Sequence, residues 1–279
     1  MNVKALSDTP PWEWPKNARK ILRDALTNRH APEDDRVTAA ELAGDLVVMN
    51  DDLAGVLLGI VEDSSEPEQL RARGAISFGP ILDQADIDGF EDPDDVPISE
   101  KTFNRIQVSL ERLAQDERVP KEVRRRVLEA SVRAPQDWHQ SAIRAAFETG
   151  DREWVLTAVF AMRWIRGFDQ EILQSLKSTD PETHFEAVSA AGARELDAAS
   201  PHVLDLVENA RTTPKPLLLA AIEAVGSIRP REAATVLGDL AGSRDEEIAE
   251  AAEEAIMMAE AMPDEDEDDE AEDKEEWIN

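Results

Sequence analysis

Basic and aromatic side chains are concentrated in the middle of the chain. Between Arg118 and Arg166 there are ten arginines and lysines, six acidic residues and three of the six tryptophans. Arginine holds carboxylates and phosphates through paired hydrogen bonds, and tryptophan supplies large apolar contact areas. We call this range the basic island, and its residue types predict a binding face. The best candidates for contact with a partner are Arg124, Arg125, Trp138, Arg163, Trp164 and Arg166.

The basic island stands out because the chain as a whole is acidic, with a formal net charge of −31. Three interpretations remain open. The island offsets nearby acids through surface ion pairs, or it binds an acidic peptide or protein, or it binds nucleic acid. A strongly negative surface repels phosphate backbones, so nucleic acid is disfavoured. We expect a protein partner.

Residues suited to catalysis or cofactor binding are sparse. The four histidines show no metal-binding spacing, and the chain has neither a nucleophile elbow nor a phosphate loop. It contains no cysteine, which excludes disulfides and thiolate ligands. Pairs of carboxylates carry no information in a chain with 61 acidic residues. We therefore expect no catalytic residue, no cofactor and no metal.

The elements that position these residues recur along the chain. A proline or aspartate, which favours the first turn of a helix, precedes a stretch with small residues at helical spacing. Four of the five intervals between these starts lie between 29 and 34 residues, the length of a two-helix repeat. Such helices bury their apolar faces only by stacking, so the spacing predicts an all-α solenoid. The starts are Pro67, Pro120, Asp151, Asp180, Pro214 and Asp245.

The segments DPETHFEAVSAAGARE and TPKPLLLAAIEAVGSIRP, at 180–195 and 213–230, resemble HEAT-like repeats. They are most similar to the short bacterial type also found in phycobilisome lyases. The resemblance covers about 120–260, and 36–80 more loosely. It implies a superhelix of stacked helical hairpins that serves as a non-catalytic scaffold. The alternative is a lyase-like or DNA-glycosylase-like enzyme or accessory subunit, from which no specific residue is carried over.

We predict three parts of the chain. Residues 1–35 hold an N-terminal segment with a capping helix, 36–262 hold the repeats, and 263–279 form a disordered acidic tail. Glycine and proline predict a loop in an acidic insertion at 81–98. A capping box formed by Thr38 and Glu41 predicts a helix that begins there. In projection Trp154 shares a face with Ala158 and Ala161, which predicts that it lies in the core.

The chain gives no sign of membrane insertion. Its N-terminus lacks the apolar run of a signal peptide, and no segment approaches the roughly 18 apolar residues of a membrane span. We expect a cytoplasmic protein with no membrane partner.

Overall fold

The structure, a computed structural model, describes residues 2–92 and 95–261. These ranges contain α-helices, two short 3₁₀ helices and turns, and no β-strand. The chain divides into two compact units, Met1–Ile165 and Arg166–Asn279. Each unit stacks helical hairpins in chain order, which confirms the predicted all-α solenoid class. The acidic tail predicted at 263–279 lies outside the described residues.

The first unit consists of short N-terminal helices followed by stacked hairpins. Its helices are α1 Val3–Ser7, α2 Ala18–Thr27, α3 Glu33–Leu42, α4 Asp51–Glu62, α5 Glu68–Ile76, α6 Gly79–Asp88, α7 Glu100–Gln115, α8 Lys121–Ser131, α9 Asp137–Glu148 and α10 Arg152–Ala161. First helices of successive hairpins lie side by side in one row, where α5 packs on α3 and α8 packs on α5. Second helices form the other row, where α4 packs on α2 and α7 packs on α4.

The second unit repeats the arrangement. Its first helices pack in the order α12, α14, α16, and each packs on the second helix that precedes it. The helices are α11 Asp169–Ser175, α12 Pro181–Ala193, α13 Ser200–Glu208, α14 Lys215–Ile228, α15 Pro230–Ala241 and α16 Glu246–Ala261.

Helices begin where the sequence analysis predicted, directly after a proline or an aspartate. At all six predicted starts, a helix begins one residue after the proline or aspartate. The aspartates act through their side chains: Asp151 accepts hydrogen bonds from the backbone N–H groups of Glu153 and Trp154, and Asp180 accepts one from Thr183. The prolines act through their fixed φ angle, because none of them has a capping side chain.

Glycine allows the first helices to approach closely in the second unit. A Cβ added at Gly192 of α12 would lie 2.9 Å from the Cα of Ala224 in α14. A Cβ at Gly226 would lie 3.0 Å from the backbone oxygen of Ala255 in α16. The small residues that the sequence places at these positions are therefore required by backbone-to-backbone packing.

Helix α3 begins five residues before the predicted capping box. Its N-cap is Pro32, and three acidic residues at its first positions suit the positive end of the helix dipole. Thr38 and Glu41 consequently lie inside the helix, so the capping-box prediction is wrong. Pro32 precedes Pro67 by 35 residues and is a further repeat start that the sequence analysis missed.

Half of the predicted acidic loop is helical. Residues 79–88 form α6, which packs on α8 and buries Ile81, Leu82 and Ala85. Gly89 ends the helix with a φ of 67°, a conformation that favours glycine. The prediction of a loop over 81–98 is therefore wrong for its first eight residues, because apolar residues at helical spacing outweigh the acidic side chains between them. Residues 93–94 lie outside the described ranges.

Candidate functional site

Arg124 is held in place by a contact that recurs in earlier repeats. Its Nε donates a hydrogen bond to the carbonyl of Ala114, near the end of α7, at 3.1 Å. Arg36 and Arg71 make the same bond to carbonyls ten residues earlier, at the ends of α2 and α4. A cation at a helix C-terminus satisfies a free carbonyl and the negative end of the dipole. Arg124 is thus first a capping residue, and its position is fixed by that role.

The guanidinium of Arg124 also lies over the indole of Trp154, 5.4 Å from the ring centroid. Trp154 is at the third position of α10, where the Asp151 cap orients the first turn. Arg36 differs, because its guanidinium pairs with the buried Glu66. Among the described residues, no carboxylate forms an ion pair with Arg124, although its charge helps to lower the pKa of Asp116.

Trp138 is anchored at the start of α9. Its Nε1 donates to the side-chain oxygen of Gln136 at 2.6 Å, and its ring packs on His139. His139 is fully buried, accepts a bond from the backbone N–H of Gln136 and faces the Ser131 hydroxyl at 3.0 Å. Burial lowers the pKa of His139 to about 4, so the ring is neutral at neutral pH. The imidazole therefore has a structural role: it is bonded at the start of α9 and orients the Trp138 ring that packs on it.

These three side chains line one groove between α7 and α9. The groove has a volume of about 570 Å³, and α8 forms its floor. Arg124, Trp138 and Trp154 are its large side chains, and small alanines dominate the wall formed by α9. We call it the α7–α9 groove. The remaining lining residues are Ala114, Gln115, Leu128, Ser141, Ala142, Ala145, Ala146 and Thr149.

Arg125 does not face the groove. Its side chain is buried, with the residue 4% exposed, and it pairs with Glu122 at 2.7 Å and lies 3.7 Å from Glu129. Its Nε donates to the Thr157 hydroxyl of α10 at 3.0 Å, and Thr157 in turn donates to Glu129. The prediction that Arg125 contacts a partner is therefore corrected. Its guanidinium is buried and already bonded to side chains of α8 and α10.

Arg163 and Trp164 belong to a different cluster. The guanidinium of Arg163 lies 5.6 Å from the Phe160 ring centroid, and the Phe160 and Trp164 rings are 4.9 Å apart. Arg133, which sequence reasoning did not single out, lies over Trp164 at 5.3 Å. Arg124 lies near the start of α8, whereas Arg133 follows its last residue by two positions. The structure thus splits the basic island into two clusters at opposite ends of α8.

Arg166 is exposed and belongs to the second unit. Trp154 was predicted to be a core residue, but it is half-buried and lines the groove. Helical projection placed it on the face of Ala158 and Ala161, which are buried. What projection does not reveal is that α7 and α9 leave a gap there.

Other sites for chemistry are few in the part of the chain that the structure describes. No group of three or more histidine, aspartate or glutamate side chains there could hold a metal ion. His184 and His202 form an isolated pair, with their Nε2 atoms 2.7 Å apart. Burial lowers the pKa of both rings, and each ring is half-buried. No helix among the described residues combines the length and apolarity of a membrane span.

Comparisons with known proteins find likeness only among solved structures. No protein-family model matches the chain, and no curated protein sequence matches it significantly. The Escherichia coli protein YibA aligns over 90% of this chain and 84% of its own, at 14% identity and a TM-score of 0.46. Human deoxyhypusine hydroxylase aligns over 93% and 96%, at 16% identity and 0.40.

A designed armadillo repeat protein aligns over 85% of this chain and 98% of its own, at 12% identity and a TM-score of 0.32. These structures include both an enzyme and a designed protein, and every TM-score is below 0.5. The likenesses therefore indicate nothing about what this chain binds. The specific link to the repeats of phycobilisome lyases stays a prediction.

Proposed function

We propose that this chain is a non-catalytic repeat scaffold that binds a segment of a protein partner in the α7–α9 groove. The observation that carries the proposal is the pairing of two tryptophans with an arginine that has no carboxylate partner among the described residues. Tryptophan and arginine are the residue types most enriched among the side chains that dominate binding energy at protein interfaces. A cytoplasmic location remains part of this proposal.

The chemistry of the groove indicates what the partner segment carries. Alanines on α9 leave room for an apolar side chain between the two indoles, and burial of such a side chain contributes roughly 1.5–3 kcal/mol. The outer nitrogens of Arg124 are available for a carboxylate, since its Nε alone is used by the Ala114 carbonyl. We expect a segment with an apolar residue beside an aspartate or glutamate.

The composition of the groove supports binding over catalysis. Its lining side chains, all within the described ranges, include no carboxylate and no histidine, so none of them can act as a general base near neutral pH. A glycosylase-like or lyase-like role would need such a group close to the bound substrate. The net charge of −31 also opposes the approach of DNA.

The test is a groove-filling variant. Ala145 is exposed on α9 and lines the groove, so Ala145→Trp places a large ring inside it without disturbing the core. The matched control is Gly59→Trp, because Gly59 is exposed on α4 and open space surrounds the position of its Cβ. Affinity capture from an extract of the native cell, followed by quantitative mass spectrometry, compares the two variants with the unaltered chain.

We expect Ala145→Trp to lose the specific partner at least tenfold while Gly59→Trp retains it. Arg124→Met should weaken capture by about tenfold, the effect of one charged hydrogen bond. Equal capture by all variants would contradict the assignment of the groove. Release of a base from alkylated DNA by the purified chain, in multiple turnovers, would instead favour the glycosylase-like alternative.

A further inference from the structure

A second and larger cavity lies at the N-terminal end of the first unit. It is open to solvent, has a volume of about 920 Å³, and is lined by the N-terminal segment, the turn after α3, the end of α5 and Arg133. Its apolar walls include Leu6, Pro10, Trp14, Leu46, Ile76 and Pro80. Trp12, 80% exposed, lies next to wall residue Pro11. Small-molecule sites have this size and this mostly apolar character.

Arg133 is the unusual residue of this cavity. Its side chain is half-buried and makes no hydrogen bond or ion pair with any residue in the described ranges, and its Nε is fully covered without an acceptor. Buried polar groups are almost always hydrogen-bonded, so an exception calls for an explanation. In a chain with 61 acidic residues, a half-buried guanidinium that forms no ion pair among the described residues is more unusual still.

The position of this guanidinium is fixed by its neighbours. Trp164 lies under its plane at 5.3 Å, and Gly79 at the start of α6 leaves the space that it occupies. A Cβ at Gly79 would lie 2.9 Å from the Nε of Arg133. Burial lowers the pKa of Arg133, and the nearby Arg163 lowers it further, although Asp83 and Glu129 act in the opposite direction. The charged form is thus held in a site that does not favour it.

The other charges of the cavity already have local roles. Arg73 faces Glu41 at 3.9 Å, and Asp45 accepts a hydrogen bond from the backbone N–H of Val47 at 2.9 Å. Asp8 ends α1 and also lines the cavity. These three carboxylates oppose a ligand with several negative charges. They leave Arg133 as the charge that a single anionic group would neutralise.

We propose that this cavity binds a small organic acid, a ligand with one carboxylate or sulfonate-type group on Arg133 and an apolar body against the walls formed by the N-terminal segment and α5. The site is separate from the α7–α9 groove, and its ligand is a small molecule. An anion paired with the outer nitrogens of Arg133 neutralises the guanidinium charge, and the apolar walls supply the remaining affinity.

The test uses two fluorescent probes that differ by one charge. 1-Anilinonaphthalene-8-sulfonate has an apolar body and one sulfonate, and N-phenyl-1-naphthylamine has the same body without it. Both are titrated into the full chain and into the variants Arg133→Gln and Arg133→Met. The matched control is Arg105→Gln, which removes an exposed charge from α7 away from the cavity. Circular dichroism and urea unfolding verify that each variant is folded.

We expect saturable binding of the sulfonate probe to the unaltered chain, and a loss of affinity of about tenfold in both Arg133 variants. The affinity for the neutral probe should stay within about twofold in the same variants, and Arg105→Gln should match the unaltered chain. Undiminished sulfonate binding in a folded Arg133 variant overturns the proposal. An equal loss for both probes also overturns it, because the effect would then come from packing and not from charge.

Discussion

At the scale of the residue, the arginine at one equivalent position makes different interactions in successive repeats. Arg36, Arg71 and Arg124 all cap the preceding second helix through Nε. The rest of the guanidinium then pairs with Glu66 in the first case and stacks on Trp154 in the third. Because the cap fixes the side chain, the third repeat presents its charge beside an indole without further cost in side-chain entropy.

These roles were partly predictable from the order of residues. The spacing from each proline to its arginine is four residues in all three repeats, so the equivalence was visible in the chain. Burial was not. Arg124 and Arg125 are adjacent and chemically identical, yet one lines a groove and the other is enclosed by Glu122, Glu129 and Thr157. Only the packing of α10 against α8 separates them.

His139 gives a prediction for pH dependence. Its pKa is lowered to about 4 by burial, whereas an unfolded histidine has a pKa of about 6.5. The unfolded chain therefore binds an extra proton between these values, and the free energy of unfolding decreases as pH falls through this window. The loss attributable to His139 between pH 7 and pH 4.5 should be roughly 2 kcal/mol.

Urea unfolding of the unaltered chain and of His139→Gln at both pH values tests this effect. Glutamine at this third helical position can still accept the N-cap amide bond, so the cap is kept while the titrating ring is lost. The half-buried His184 and His202 are present in both proteins and cancel in the comparison. A variant that loses as much stability on acidification as the unaltered chain would contradict the assignment.

At the scale of the element, most of the residues at which helices begin were predictable from the sequence. Which segments are helical was harder to predict, because that depends on packing. Proline and aspartate set the first turn locally, so the six starts followed from the sequence alone. The α3 start at Pro32 was missed because Thr38 and Glu41 have the spacing of a capping box, which pointed to a later start. Helix α6 was missed because its stability comes from Ile81 and Leu82 packing on α8, a contact between segments far apart in the chain.

Ion pairs between neighbouring first helices also recur along the chain. Lys121 pairs with Asp151 and Glu153, and Lys215 pairs with Asp245 and Glu247, at 2.6–2.7 Å in every case. Each lysine opens one helix, and its acids open the next first helix along the chain. These lysines occupy the same position in both units, and their charges are neutralised locally.

Close helix packing gives a second prediction. Gly192→Ala should destabilise the second unit by about 1–3 kcal/mol, because the new methyl group meets the backbone of Ala224 and α12 must move from α14. Gly238→Ala, in the exposed face of α15 with open space around it, should stabilise by roughly 0.5–1 kcal/mol. Thermal unfolding of both variants gives the two signs. A neutral or stabilising Gly192→Ala would show that the two helices are not in backbone contact.

At the scale of the whole molecule, several basic residues of the island are neutralised by nearby acids. Arg118 pairs with Asp116, Lys121 with two acids of α10, and Arg126 with Glu122 and Glu129. Arg124 in the groove and Arg133 in the N-terminal cavity have no ion pair in the part of the chain that the structure describes, and these are the two arginines that we propose bind ligands.

The most direct test of the central claim is site-specific photo-cross-linking. The photoreactive residue p-benzoylphenylalanine replaces Ser141, which is exposed and lines the groove, or Gly59, which is exposed on α4. After irradiation in the native cell, the account predicts one defined cross-linked protein from position 141, none from position 59, and loss of the product when Arg124→Glu is added. The same products from both positions, or a product at 141 that is indifferent to Arg124→Glu, would contradict it.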